Sequence, residues 1–133
     1  MPFPLDIKYI IETELELDIV FPDNFKSKMI KENGGDLTTE DDDWQLIPFF
    51  DKSDNKRISR TCNHIGLESK QARDLNNFPE NGVAIASNGC GDILILLPTN
   101  ENSKKLSDEI FFWFHETGEF EKVAEKIDEL IGK

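Results

Sequence analysis

The stretch Val83–Leu97, VAIASNGCGDILILL, predicts the hairpin around which the rest of the sheet is built. Two apolar runs, Val83–Ala86 and Ile93–Leu97, flank a polar turn, Ser87–Asp92. Its Asn-Gly pair accepts the positive φ that a reversing turn requires, and its second glycine permits a bulge or a longer loop. Each run is too short for a stable helix and is rich in β-branched residues and leucine, so both are predicted to be strands.

The size and composition of the chain indicate one domain, which we place at residues 1–133. No run approaches the ~18 apolar residues of a membrane span. The start MPFPLDIK lacks the basic residues and apolar stretch of a secretory signal. Cys62 and Cys90 are too few and too far apart for a disulfide framework. These features predict a cytoplasmic protein with free thiols.

The charge is the compositional outlier: 15 Lys and Arg against 27 Asp and Glu leave a formal net charge of −12. Such a field repels nucleic acid and anionic membranes and draws basic partners inward. The plainer alternative is that the surplus only keeps the protein soluble. Ten Phe and two Trp argue against an acidic disordered chain, because they supply the apolar surface that a core needs.

Two helices are predicted before the first strand. The first covers about Asp6–Leu15, with Asp6 as its N-cap. Its inward face is predicted to contain Ile7, Ile10, Ile11 and Leu15. The second starts at Pro22-Asp23, where proline fixes φ and the aspartate favours the helix dipole, and it ends at Asn33-Gly34-Gly35.

The middle of the chain gives weaker signals. Trp44–Phe50 is predicted to be a strand that Pro48 confines to an edge or terminates. Thr38–Asp43 is polar and acidic, hence a loop, and Asp51–Ser59 is predicted to be the most exposed and mobile segment. One or two short helices are expected between Ile58 and Asn77.

Near the end, Ile110–His115 reads IFFWFH and is apolar on both faces, which predicts a strand covered on both sides. Glu119–Ile131 carries apolar residues at 3.6-residue spacing, which predicts a C-terminal helix. The predicted fold is therefore α+β: a mostly antiparallel sheet of about four to six strands, with two N-terminal helices and this C-terminal helix packed on it.

The order of several short motifs resembles that of the SUKH superfamily, which includes the yeast cell-wall-assembly regulator family and many bacterial immunity proteins. The motifs are FPDNFK at residues 21–26, NGG at 33–35, WQLIP at 44–48, AIASNGCGD at 84–92 and WFHE at 113–116. The resemblance implies an α+β domain without catalytic activity. It implies that bacterial members neutralise polymorphic or contact-dependent toxins by direct binding, while eukaryotic relatives act as scaffolding or regulatory modules.

The residues that could carry chemistry form no recognisable catalytic or metal site. A nucleophilic Cys90 would need a nearby base, and the sequence places neither His64 nor His115 beside it. A calcium loop starting at Asp51 would need glycine and an acid where Lys56 and Cys62 stand. No phosphate loop, dinucleotide fingerprint or paired-cysteine zinc spacing occurs, so no cofactor or metal is expected.

The prediction is a non-enzymatic binding protein, with an immunity protein that binds a basic toxin domain as the first hypothesis. A regulatory or scaffold module is the alternative, and an enzyme of unknown type is the third. The candidate partner-binding residues are the acidic run Glu40, Asp41, Asp42 and Asp43, with Trp44 and Trp113. A run of acids is also typical of a solvated loop, and both tryptophans are also expected in the core unless they are exposed.

Overall fold

A computed structural model describes residues 3–39, 43–75, 77–79, 81–89, 91–102 and 104–130. The chain folds into one six-stranded sheet in which every pair of neighbours is antiparallel and the strand order follows the sequence. The strands are β1 (Asp36–Thr38), β2 (Asp43–Leu46), β3 (Val83–Ser87), β4 (Ile93–Pro98), β5 (Leu106–Trp113) and β6 (Phe120–Ala124). The helices are α1 (Ile7–Leu17), α2 (Asp23–Lys31), α3 (Asn55–Arg60) and α4 (Ile65–Arg73), and a short 3₁₀ helix covers Ile127–Glu129. The α+β class, the antiparallel sheet and the two N-terminal helices are confirmed.

The central hairpin is confirmed as β3 and β4. Val83 pairs with Leu96 and Ser87 with Ile93, with a register shift between Ala84 and Ala86. The turn contains Gly89 at φ 81° and Gly91 at φ 100°, the positive values that favour glycine. Local turn chemistry therefore sets this part of the fold.

The predicted C-terminal helix is wrong. Phe120–Ala124 forms β6, which pairs with β5 from Ile110 to Trp113, and the one helical element after it in the described residues, which end at 130, is the 3₁₀ turn at Ile127–Glu129. The strand β5 would otherwise leave a row of unpaired backbone groups at its outer edge. Because Gly118 at φ 78° reverses the chain directly after β5, pairing with that edge overrides the helical spacing of the apolar residues.

The first helix is confirmed, but its predicted inward face is mostly wrong. Asp6 is the N-cap and accepts a hydrogen bond from the backbone N–H of Lys8. The helix continues to Leu17 and ends where Asp18 adopts a left-handed φ of 56°. The side chains that face the core are Tyr9, Ile10, Thr13 and Leu17. Ile7, Ile11 and Leu15 lie on the opposite, exposed side.

The middle of the chain is more ordered than predicted. The expected strand Trp44–Phe50 is limited to β2, and β1 occupies part of the segment predicted as an acidic loop. The segment Asp51–Ser59, predicted to be exposed and mobile, contains most of α3, which Asp54 caps by accepting from the N–H of Arg57. Asp51 itself is buried and pairs with Arg57. The short helices expected after Ile58 correspond to the end of α3 and to α4.

The helix α4 protects an exposed part of the sheet. β2 pairs with β3 at Ala86 and Ser87, and just after β2 the N–H of Ile47 donates to the carbonyl of Ile85, where this contact ends. The backbone N–H of Ala84 donates instead to the buried hydroxyl of Ser69, 2.9 Å away on α4. A side chain thus satisfies a backbone donor that would otherwise be open at a strand edge.

His64 begins α4 and links it to the β2–α3 connection. Its ring Nδ1 accepts a hydrogen bond from the N–H of Leu67 at 3.3 Å, and the ring stacks on Phe50 at 4.7 Å. Burial lowers the pKa of His64 from 6.5; Lys70 adds to this effect, whereas Glu16 and Glu68 oppose it. Since only the neutral ring can accept at Nδ1, the fold favours the neutral histidine.

This arrangement predicts a pH-dependent contribution to stability. The pKa of this histidine is near 6.5 in the unfolded chain and lower in the folded chain. The contribution of the neutral ring to the free energy of unfolding is therefore complete above about pH 6.5, and it is lost as the pH falls through the folded pKa. We expect a loss of about 1 kcal/mol, the size of an N-cap, as the pH falls below the unfolded pKa of 6.5 and through the lower folded one. Urea unfolding of wild type and His64→Asn measures it, because asparagine caps without titrating in that range. Equal pH dependence in both proteins would contradict the assignment.

Candidate protein-binding surface

The acidic surplus is concentrated in two segments of the chain. Residues 36–43 contain five acids and no base, a net charge of −5, and residues 106–130 contain eight acids and two lysines, a net charge of −6. Together these segments account for −11 of the formal −12, and the remaining 100 residues are almost neutral at −1. The negative charge is therefore a local property of two segments.

The fold brings these two segments together, although β1 and β6 are at opposite ends of the strand order. The backbone N–H of Thr38 in β1 donates to the carbonyl of Leu130, just after the 3₁₀ helix, at 3.3 Å. Trp44 of β2 contacts Phe112 of β5 edge to face at 5.0 Å, although β3 and β4 separate their strands. The sheet is thus strongly curved, and its two ends meet.

We call the described acids of these two segments the acidic rim. All of them are exposed except the half-buried Glu109. The members of the acidic rim are Asp36, Asp43, Asp108, Glu109, Glu116, Glu119, Glu121, Glu125, Asp128 and Glu129.

Few basic side chains neutralise the acidic rim. In the part of the chain that the structure describes, Lys122 is the only lysine or arginine that forms ion pairs with it, to Glu125 at 2.7 Å and Glu109 at 3.1 Å. These two carboxylates raise the pKa of Lys122. The other rim acids leave a strong negative potential at this edge of the molecule.

An exposed aromatic ring lies within the acidic rim. Phe120 stands between Glu119 and Glu121 at the start of β6, and 47% of its surface is exposed. Its ring contacts Phe111 edge to face at 5.7 Å, and it pairs across the strands with Trp113. Phe120 lies in the segment predicted to be a helix packed on the sheet, but in β6 its ring is exposed. The alternation of charged residues with Phe120 was the signal for an exposed strand.

The predicted partner-binding residues have different positions in the structure. Glu40, Asp41 and Asp42 lie outside the described residues. Asp43 begins β2, is exposed and belongs to the acidic rim. Trp44 and Trp113 are 2% and 1% exposed, so they lie in the core and offer no exposed ring to a partner. Their indole N–H groups donate to the hydroxyl of Thr39 and the carbonyl of Asn77.

The acids of α1 and its C-cap do not add to this negative surface. Glu12, Glu14, Glu16 and Asp18 each pair with a lysine from another part of the chain, at 2.5 to 3.5 Å. The lysines are Lys52, Lys26, Lys70 and Lys104 respectively. The ion pairs of the fold therefore neutralise these acids.

Asp92 and His115 form the most polar contact near the central turn. The ring Nδ1 of His115 lies 2.7 Å from a carboxylate oxygen of Asp92, and the backbone N–H of His115 donates to the same oxygen at 3.2 Å. Partial burial raises the pKa of Asp92, but the hydrogen bonds from His115 and Asn88 outweigh it and lower that pKa below 3.8. The pair fastens the β3–β4 turn to the end of β5, as expected for a hydrogen-bonded structural histidine. Cys90 lies outside the described residues, and the described ones include no cluster of His, Cys, Asp and Glu that could hold a metal ion.

A cleft of about 480 Å³ lies beside β2 and is lined by residues of two sequence motifs, Asn33-Gly34-Gly35 and Gln45-Leu46. The side chain of Asn33 is not directed to a ligand there, because it is buried and both donates to and accepts from the backbone of Phe49 at 2.8 Å. This motif therefore joins the end of α2 to the exit of β2, which is a structural role.

The fold and the charge pattern together define a small α+β domain with a curved antiparallel sheet and one acidic edge. A model of the SMI1/KNR4 family (SUKH-1) matches residues 4–133, and the chain belongs to this family. The family includes immunity proteins and is generally non-catalytic. No curated protein and no solved structure matches the chain. Among the described residues, no helix is long and apolar enough to cross a membrane.

Proposed function

We propose that this protein is an immunity protein that neutralises a toxin domain by binding it directly, with the acidic rim as the surface of contact. The observation that carries the proposal is the concentration of −11 of the −12 charges in two segments that the fold joins. A surface of this kind favours a basic partner. Membership in a family that includes immunity proteins supports the choice of a toxin as that partner.

The parts of the surface have different roles in the proposed complex. The exposed rim acids, together with Glu40, Asp41 and Asp42 of the same β1–β2 segment, attract the partner over a distance and orient it. Phe120 is the apolar anchor, because it is exposed at the acidic edge, its ring contacts that of Phe111, and it pairs across the strands with Trp113. Trp44 and Trp113 contribute only indirectly, by stabilising the fold that presents this surface.

The test begins with the neighbouring gene, which is expected to encode a large secreted protein with a toxic C-terminal domain. Co-expression of the chain with that domain should restore growth, and the two proteins should purify as one complex. A variant with Glu119→Gln, Glu121→Gln, Asp128→Asn and Phe120→Ala should protect less well while remaining folded. Full protection without complex formation, or by this variant as well as by wild type, would refute the proposal.

A further inference from the structure

The outer side of α1 carries a line of exposed apolar side chains. Ile7, Ile11 and Leu15 are spaced four residues apart, so they lie in one row along the helix. They are 49%, 47% and 77% exposed. The opposite side of α1 already supplies the buried residues that pack into the domain, so this row, the α1 stripe, is a second apolar face.

The surroundings of the α1 stripe are electrically almost balanced. Five acids lie between residues 6 and 18 of α1 and its caps, and the lysines beside them are also five: Lys8 and the four that pair with Glu12, Glu14, Glu16 and Asp18. Lys26 also lies 3.9 Å from Asp23, and with that acid included this face is nearly neutral, at −1. Two copies that approach through their acidic rims repel each other, whereas two copies that approach through α1 do not.

This charge distribution indicates which molecule binds the α1 stripe. A basic partner is drawn to the acidic rim, not to a nearly neutral face. A second copy of this chain, which carries −12 like the first, can come close only where the surface is nearly neutral and apolar. We propose that the protein forms a two-fold symmetric dimer through antiparallel packing of the α1 stripes.

The sequence of α1 suits this symmetry. With the two-fold axis at Ile11, that residue meets its own copy, and Ile7 of each chain meets Leu15 of the other. Lys8, which projects beside the stripe, then lies near Glu12 of the second copy and adds an attractive pair. The acidic rim stays outside the contact, so the dimer and the proposed toxin binding are independent of each other.

The expected dimer is weak. Three side chains supply only part of the about 800 Å² that each partner contributes to a stable complex. We therefore expect a dissociation constant on the order of 0.1 mM. Sedimentation equilibrium of the full chain should show a mass of 15.3 kDa at low concentration that rises toward twice this value at about 1 mM.

Substitutions at the centre of the stripe test the contact. Ile11→Glu should remain monomeric at all concentrations, because it places two carboxylates at the symmetry axis. It should stay folded, since the position is exposed and glutamate is a good helix former. Ile58→Glu is the matched control: it places the same charge at a partly exposed isoleucine of α3 and should associate like wild type.

A charge pair then distinguishes a contact at Ile11 from a general effect of charge. Ile11→Glu and Ile11→Lys should each be monomeric alone, and their mixture should associate more than either. The proposal is overturned if wild type stays at 15.3 kDa at about 1 mM, or if Ile11→Glu associates as wild type does.

Discussion

Replacing Trp113 with alanine is expected to lower the free energy of unfolding by about 3–5 kcal/mol, the cost of deleting a large buried aromatic side chain. Trp113 is 1% exposed and packs edge to face on Phe78 at 5.1 Å. Its indole N–H also donates to the carbonyl of Asn77 at 3.4 Å. The substitution therefore leaves a cavity between β5 and the segment that covers it. Urea unfolding followed by circular dichroism measures the loss, which is a large share of the 5–15 kcal/mol typical of a domain.

Phe120→Ala is the matched control for this experiment. It removes the aromatic residue that pairs with Trp113 across β5 and β6, but from a site that is half exposed. Its main specific contact is the ring of Phe111, so the expected loss is below about 1.5 kcal/mol. Equal losses in the two variants, or an unchanged midpoint for Trp113→Ala, would contradict the position of Trp113 in the core.

The parts of the fold that sequence predicted well are those that local chemistry decides. The Asn-Gly turn between two apolar runs leads to the β3–β4 hairpin, and proline followed by aspartate starts α2. Both signals lie within a few residues of the structure they produce. Neither depends on what the rest of the chain supplies.

The parts that sequence missed depend on partners far along the chain. The residues of β6 fit a helix in isolation, and only the open edge of β5 makes them a strand. The row formed by Ile7, Ile11 and Leu15 is as apolar as the side of α1 that is buried. The buried side also contains Tyr9 and Thr13. The packing of α1 against α2 and α4 determines that this side, and not the other, faces the core. Periodicity shows that a helix has apolar faces and leaves open which one meets the core.

The sequence alone revealed one of the two groups of acids that form the candidate surface. The acidic run at residues 40–43 stands out because its members are consecutive. The larger group in residues 106–130 is spread between apolar residues, and counting charge by segment would have found it. That the two groups adjoin could not be predicted, because it depends on the curvature that brings Leu130 to Thr38.

Removing charge from the acidic rim is expected to slow association with a basic toxin domain by about 10-fold at low salt, within the range of electrostatic steering. Two rim variants test this. One removes the charge of the rim member Asp43 and of the three acids that precede it in the sequence, by Glu40→Gln with Asp41, Asp42 and Asp43 changed to Asn. The other carries Glu119→Gln, Glu121→Gln and Asp128→Asn. Dissociation should change little in either, because exposed charges act mainly on the encounter.

A third charge variant separates the location of charge from its amount. Glu12→Gln, Glu16→Gln and Asp18→Asn together remove three charges, as many as the second rim variant does, but from the lysine-paired acids of α1 and its C-cap. We expect this control to associate nearly as fast as wild type. Phe120→Ala should have the opposite effect to that of the rim variants. Its association rate should stay the same while its dissociation rate rises, as expected for an apolar anchor.

The comparison across ionic strength decides between steering and solubility. The Debye length at physiological salt is about 8 Å, so the acidic rim attracts a partner only over short distances. Added salt should therefore slow the association of wild type toward the rate of the rim variants. The rim variants themselves should respond less to salt, because they have lost the field that salt screens. If the association rate depends neither on salt nor on the rim substitutions, the partner does not bind at the acidic rim. The net charge of −11 that the two segments containing the rim carry would then serve to keep the protein in solution.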